Sequence, residues 1–208
     1  MAATFLDIAI TPDVMDVQHE MGSDSLWQTP RSRRQADRFG DSEAGMIATR
    51  DSFYLATVSQ SGGPYIQHRG GPPGFLHLLD DITLAMADFG GNRQYITTGN
   101  LRGSARACLI LMDYPSRARL KINATVEVLA AEDTPQLLAQ VAPANYRARI
   151  ERLFLFHLQA FDWNCPQHIT PRYSAQQMAE YSQNLQQRIH DLEQENQRLQ
   201  QQLARKGE

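Results

Sequence analysis

The sequence predicts a mainly β chain of the α+β class, with a nearly closed barrel between an N-terminal helical extension and a long C-terminal helix. Residues 45 to about 165 hold short β-rich runs separated by glycine- and proline-containing turns, which is typical of a barrel. The preceding residues are mixed and polar, with short amphipathic stretches. The last region is rich in Gln, Glu, Arg and Leu and has neither Gly nor Pro until Gly207. We therefore divide the chain into residues 1–44, 45–173 and 174–208.

The barrel region contains seven predicted strands. In order, they span residues 53–59, 65–69, 75–80, 83–87, 106–112, 119–129 and 153–161. The clearest is 119–129, where apolar and polar residues alternate strictly, so that one face is buried and the other is exposed to solvent. The last strand is apolar on both faces for much of its length, which predicts a central position or a subunit interface.

Two short helices are predicted between these strands. The first spans residues 93–101 and follows Gly90-Gly91, with Asn92 as its N-cap. The second spans residues 134–141, with Thr134 as its N-cap and a proline in the first helical position.

The C-terminal region predicts a long helix with a coiled-coil seam. The apolar positions and one asparagine recur at spacings of 4, 3, 4, 3 and 4: Leu185, Ile189, Leu192, Asn196, Leu199 and Leu203. With Leu185 at d, Asn196 falls at an a position, where a lone asparagine favours a parallel two-stranded pairing. The alternative is that this stripe packs on the chain's own barrel.

Composition restricts the classes of partner. The 208 residues carry a formal charge of −3, which does not favour a nucleic-acid partner, and Arg31-Ser32-Arg33-Arg34 is most simply interpreted as a solvated surface run. The two cysteines form no CxxC pair, and Cys108 is predicted to be a core thiol. This cysteine usage, with neither a signal peptide nor a membrane-length apolar run, predicts a cytoplasmic protein with no membrane partner.

Two glycine-containing segments predict an anion site. Gln67-His68-Arg69-Gly70-Gly71 brings a guanidinium to a strand end beside glycines that let the backbone approach a ligand. Asn92-Arg93-Gln94 stands at a predicted helix start, where free N–H groups and the helix dipole favour an anion. Taken singly, each is also consistent with an ordinary loop. Together the two segments predict a site in which one phosphate is bound from two sides.

These segments carry a family resemblance. The chain resembles the pyridoxamine 5′-phosphate oxidase-like FMN-binding family over residues 20 to 173. The similar runs are FYLATV at 53–58, QHRGGP at 67–72, GF at 74–75, ADFGGNRQY at 87–95, NL at 100–101, RLKI at 119–122 and FDWNCPQHITPR at 161–172. Asn123 departs from the pattern, because the family usually has glycine there.

The resemblance implies a split β-barrel homodimer with FMN at the subunit interface. Arg69 and Arg93 would hold the phosphate. The other residues implied at the cofactor are Gln67, His68, Gly70, Gly71, Asn92 and Gln94, with Trp163 and Arg172 reaching the flavin of the other subunit. No metal site is expected, since Cys165 and His168 have no second pair of ligands at metal spacing.

The leading functional hypothesis is an FMN-dependent oxidoreductase that acts on a small organic substrate, in which the flavin carries the redox chemistry. No catalytic acid or base stands out in the sequence. The alternative is a non-catalytic module that binds or stores FMN, or a related phosphorylated or tetrapyrrole-like ligand. A third hypothesis is a purely structural coiled-coil adaptor.

Overall fold

The computed structural model describes residues 4–27, 37–144, 146–163 and 166–206. The basic run at 31–34 and Cys165 lie outside these residues. The chain divides into two compact units, one formed by Met1–Asp113 with Arg117–Ile169 and the other by Tyr114–Ser116 with Thr170–Glu208.

All seven predicted strands are present. They are β1 (Ser52–Val58), β2 (Pro64–Gly70), β3 (Leu76–Asp80), β4 (Thr83–Phe89), β5 (Arg106–Asp113), β6 (Ala118–Ala130) and β7 (Ile150–Trp163). They form one sheet in the order β2-β1-β5-β6-β7-β4-β3, and every paired neighbour is antiparallel. This sheet confirms the prediction of a split β-barrel in the α+β class. It also places β7 between β6 and β4, which explains why that strand is apolar on both faces.

The described residues form seven α-helices in addition to the sheet. They are α1 (Phe5–Ala9), α2 (Pro12–Glu20), α3 (Asp24–Trp27), α4 (Asp41–Thr49), α5 (Ile96–Gly103), α6 (Pro135–Val141) and α7 (Ala175–Lys206), with a 3-10 turn at Ala131–Asp133. The helical N-terminal extension and the long C-terminal helix are therefore confirmed. Ser174 and Gln177 form a reciprocal capping box at the start of α7, which fixes where this helix begins.

The start of α5 differs from the prediction. The helix begins at Ile96, because Arg93 and Tyr95 adopt left-handed backbone angles (φ 62° and 53°) that a right-handed helix cannot include. Asn92 is not the N-cap. Its side-chain oxygen instead accepts a hydrogen bond from the Gln94 N–H at 3.2 Å, as in an Asx turn.

The main core fills the inside of the barrel. Its largest fully buried side chains include Phe53, Phe75, Phe154 and Phe156, and α4 adds Met46 and Ile47. Cys108 was predicted in this core, but it is half-buried on the opposite face of β5, because Ala107, Leu109 and Leu111 take the inward positions. Burial raises the pKa of the Cys108 thiol.

The loop after β2 is held by backbone contacts. The Gly71 N–H donates to the Asp51 carbonyl at 2.9 Å, and the Phe75 N–H donates to the Pro72 carbonyl at 3.0 Å. A Cβ added at Gly71 would lie 2.7 Å from Cγ and 2.8 Å from Cβ of Phe75, a buried residue. Gly71 therefore permits the close packing of this loop on the Phe75 ring.

We expect Gly71→Ala to lower the free energy of unfolding by about 1–3 kcal/mol, because the new methyl group overpacks the loop against Phe75. Urea denaturation measures this change. Gly91→Ala is the matched control, since a Cβ at Gly91 meets nothing within 4 Å. Equal stability of the two variants would contradict the packing role.

Candidate anion-binding site

A pocket of about 190 Å³ opens where β2, β4, the loop at 90–95, the start of α5 and the start of β7 meet. The alternation of β2 places Tyr65, Gln67 and Arg69 on the face that lines it. Three arginines and two carboxylates line the same pocket: Arg69, Arg93, Arg152, Asp88 and Glu151. Guanidinium groups thus outnumber carboxylates, and the pocket carries a positive formal charge.

Arg69 and Arg152 share one buried carboxylate. Arg69 lies 2.6 Å from Asp88 Oδ1, and Arg152 lies 3.2 Å from Asp88 Oδ2. Burial raises the pKa of Asp88, while the two neighbouring guanidiniums act in the opposite direction. Arg152 also pairs with Glu151 at 2.9 Å, and Arg69 stacks over the Phe154 ring at 5.5 Å.

Arg69 retains an unused donor. Its Nε is buried, and no atom of the described residues accepts a hydrogen bond from it. Because this Nε is buried, it does not itself offer a donor to a ligand in the pocket.

The first turn of α5 lies at the edge of the pocket. Tyr95, the N-cap, makes no side-chain capping bond, while Ile96, Thr97 and Thr98 line the pocket. The first N–H groups of a helix have no intrahelical acceptor, so they and the helix dipole favour an anion here. The Thr97 hydroxyl donates to the Gln67 amide oxygen at 2.8 Å, and Arg152 donates to the Thr98 hydroxyl at 2.8 Å, which fixes both side chains.

The loop before α5 is tied to β7 through Tyr95. The Tyr95 hydroxyl donates to Glu151 at 3.3 Å, and Arg152 stacks over the Tyr95 ring at 4.9 Å. The pKa of Arg93 is raised, chiefly by its hydrogen bond to the Tyr95 side chain. Asn92 and Gln94 bond to each other through their side-chain amides at 3.2 Å. The loop is therefore held in place before any ligand arrives.

The structure brings five of the sequence-predicted residues to this pocket, namely Gln67, Arg69, Asn92, Arg93 and Gln94. It places three others away from it. His68 is exposed on the opposite face of β2, with its ring 5.6 Å from the Tyr54 ring. Gly70 ends β2 beside His68, and Gly71 begins the loop that packs against Phe75.

Trp163 and Arg172 also lie outside this pocket. Trp163 ends β7, eleven residues beyond Arg152, or on the order of 35 Å along the strand. Its indole N–H donates to the carboxylate of Glu43, a buried residue of α4. Arg172 belongs to the second compact unit, where it stacks over Tyr114 at 5.1 Å.

Sequence reasoning missed the charged partners of Arg69. Asp88 was part of a run quoted for the family resemblance, but it was not assigned a role. Glu151 and Arg152 immediately precede the apolar run that was predicted as a strand from residue 153. A charged pair directly before a strand that is apolar on both faces was the available signal, because such a pair is buried only if it is matched.

The fold and the site together define a split β-barrel protein with a cationic pocket at a helix N-terminus. The sequence pattern of the pyridoxamine 5′-phosphate oxidase family matches residues 41–163. The match covers more than half of the chain, which therefore belongs to this family.

Solved structures are also similar to the chain, at low identity. A Lactobacillus delbrueckii protein assigned as a pyridoxamine 5′-phosphate oxidase is 18% identical, covering 62% of this chain and 96% of its own, with a TM-score of 0.48. HupZ of Group A Streptococcus is 16% identical, covering 65% of this chain and 100% of its own, with a TM-score of 0.47. An FMN-binding protein of Syntrophomonas wolfei is 16% identical, covering 72% of this chain and 97% of its own, with a TM-score of 0.44. No curated protein matches the chain.

The described residues contain neither a membrane-spanning helix nor a metal-binding cluster. None of their helices combines the length and the apolar character needed to cross a membrane. Within the same residues, no three His, Cys, Asp or Glu side chains are grouped so that they could hold a metal ion.

Proposed function

We propose that this protein is an FMN-binding flavoprotein that acts as an oxidoreductase on a small organic substrate. The observation that carries the proposal is the convergence of three guanidinium groups and the uncapped start of α5 on one pocket, in a chain of the pyridoxamine 5′-phosphate oxidase family. The phosphate of FMN is the group that this pocket would hold.

The charge of the pocket suits a phosphate monoester. Such a group carries a charge of about −1.5 to −2 at neutral pH, with three strong acceptor oxygens. Arg69, Arg93 and Arg152 outnumber the two pocket carboxylates by one, and the start of α5 adds roughly half a positive charge, so together they offset most of the phosphate charge. The guanidinium groups that line the pocket and the first-turn N–H groups of α5 supply donors for the phosphate oxygens.

The size of the pocket suits only one end of the cofactor. Sites for cofactor-sized ligands usually enclose about 300–1,000 Å³, and this pocket encloses about 190 Å³. The flavin ring would therefore lie outside it, against a further surface. A second copy of this chain is the proposed source of that surface, which makes the protein a homodimer with FMN at the interface.

An exposed apolar face supports the homodimer. Tyr54, Val58 and Ile66 of β1 and β2 are 40%, 45% and 62% exposed on the side of the sheet opposite the core. Ile110 of β5 pairs with Tyr54 in the same register and extends this face. Contiguous exposed apolar surface of this kind is typical of an interface. The face lies on the side of β2 opposite to the pocket, so it supports self-association and not the position of the pocket at the interface.

Trp163 is the proposed contact from the second copy to the flavin ring, with Arg172 near it. Glu43 holds the indole N–H, and the side chain is 38% exposed, so part of the ring is accessible for stacking. When bound, FMN supplies two-electron or hydride chemistry, and the protein supplies binding, orientation and electrostatics.

One observation favours the second candidate function, a module that binds FMN or another phosphorylated ligand without turnover. Both carboxylates in the pocket, Asp88 and Glu151, are engaged by guanidinium groups. Neither is therefore placed as an independent acid or base. Anaerobic reduction separates the two functions: a bound flavin that is bleached by NAD(P)H or a substrate and recovers in air indicates an enzyme.

A comparison of FMN with riboflavin tests the phosphate assignment. We expect the native protein to bind FMN more tightly, and Arg93→Ala to lose roughly tenfold in FMN affinity with little change for riboflavin, because a charge-assisted contact to phosphate is removed. Fluorescence titration measures both affinities. Arg106→Ala, an exposed arginine at the start of β5, is the control. An unchanged preference for FMN in Arg93→Ala would overturn the assignment.

A further inference from the structure

The C-terminal helix α7 is long, continuous and exposed. Its 32 residues span about 48 Å at the usual rise of an α-helix. Every described side chain of this helix is exposed. A helix of this length in water is stabilised mainly by packing its apolar stripe against another surface.

One face of α7 carries an apolar seam, and the opposite face is polar. Large exposed apolar side chains recur along the seam: Met178 at 49%, Leu185 at 47%, Ile189 at 55%, Leu192 at 53%, Leu199 at 47% and Leu203 at 71%. Met178 lies seven residues before Leu185, at the same heptad position, and so extends the seam toward the N-terminus. Away from the seam, side chains bond along the helix between Gln187 and Asp191 and between His190 and Gln194.

We infer that α7 pairs with α7 of a second copy of this chain as a parallel, in-register, two-stranded coiled coil. The surface of the helix holds a depression lined by Ile189, Leu192, Glu193 and Asn196, with two glutamines at its margin. In heptad terms these four residues occupy positions a, d, e and the next a. In a parallel pair, this set forms the hole that receives a d-position knob, here Leu192 of the second copy.

The residues at the core positions favour two parallel strands. Ile189 at a, with Leu192 and Leu199 at d, is the combination that favours dimers over larger bundles. Asn196 at a can bond to its own copy across a parallel pair, whereas an antiparallel arrangement would set it against an apolar d residue.

The charges beside the seam are complementary in the same arrangement. Arg188 lies at g and Glu193 at the following e, the two positions that face each other between parallel helices. The pairing therefore places opposite charges on both sides of the layer formed by Ile189 and Leu192. This inference does not depend on flavin binding, since it uses residues of α7 alone.

Engineered disulfides in the full-length protein test the pairing. In a background with Cys108→Ser and Cys165→Ser, the variants Leu185→Cys and Leu199→Cys are prepared separately and oxidised mildly. Each cysteine would face its own copy at a d position, so we expect both variants to form interchain disulfides in high yield on non-reducing gels. Gln194→Cys, at the outward-facing f position, is the matched control and should remain largely unlinked.

The pattern of linkage decides the arrangement. An antiparallel pair has its two-fold axis at one point along the helix, so it could link one of the two d positions but not both. Linkage at both d positions and not at residue 194 supports the inference. Linkage at only one d position, at none, or equally at residue 194 would overturn it, whether or not the protein binds flavin.

Discussion

Replacing Arg69 by methionine should lower the free energy of unfolding by about 2–4 kcal/mol, because the Asp88 carboxylate would lose its shorter ion pair in a buried position. The side chains of Arg69 and Asp88 are only 13% and 7% exposed, so water cannot replace the lost contact. Arg152 would remain 3.2 Å from Asp88 and would limit the loss. Urea denaturation measures the change.

The loss of unfolding free energy in Arg69→Met should depend on pH. Burial already raises the pKa of Asp88, and removing Arg69 removes a charge that opposes this rise, so the carboxyl group of the variant should bind a proton more readily when folded. A group whose pKa is raised in the folded state contributes stability at low pH, and this contribution is lost as the pH rises through the folded pKa. The destabilisation should therefore be larger at about pH 8 than at about pH 5.

A second substitution provides the control. Asp88→Asn removes the charge that Arg69 neutralises, so the double variant Arg69→Met/Asp88→Asn should recover stability and lose the added pH dependence. The exposed pocket residue Arg93 offers a matched comparison, since Arg93→Ala should leave stability nearly unchanged. If Arg69→Met were as stable as the native protein at about pH 8, the ion pair would have no structural role.

The strands could be predicted from the sequence because their signals are local. Alternation over 119–129 and the turns at 60–64 and 80–81 require only neighbouring residues, and the structure has β6 and the two hairpins where these patterns lie. In the structure, the alternation of β2 places Gln67 and Arg69 on one face and His68 on the other.

The ion pairs of the pocket and the start of α5 could not be predicted, because they depend on contacts between distant residues or on unusual backbone angles. Asp88 and Arg152 are 64 positions apart, and only the register of β4 with β7 brings them together. The start of α5 was misplaced because nothing in Arg93 or Tyr95 predicts a left-handed backbone, which bulky residues seldom adopt. The pocket was thus predictable from its glycine-flanked arginines, but its internal ion pairs were not.

The most direct test of a site shared by two chains is complementation between damaged subunits. In the proposed homodimer, Arg93→Ala and Trp163→Ala each alter both FMN sites, so each variant alone should retain little FMN at a concentration near the native Kd. When the two are co-expressed in equal amounts, about half of the dimers should be mixed. A mixed dimer has one site with both changes and one site with neither.

Co-expression should therefore restore about a quarter of the native number of FMN sites, since only one of the two sites in each mixed dimer is intact. Differently tagged subunits allow the mixed dimer to be isolated, and its flavin content should then approach one native-affinity FMN per dimer. Arg93→Ala paired with a separately tagged copy of itself is the control and should show no recovery. Recovery absent from the isolated mixed dimer would mean that Arg93 and Trp163 do not serve one flavin from opposite chains. The pocket and Trp163 lie at opposite ends of β7, so the proposed site needs a second chain to bring both to one FMN.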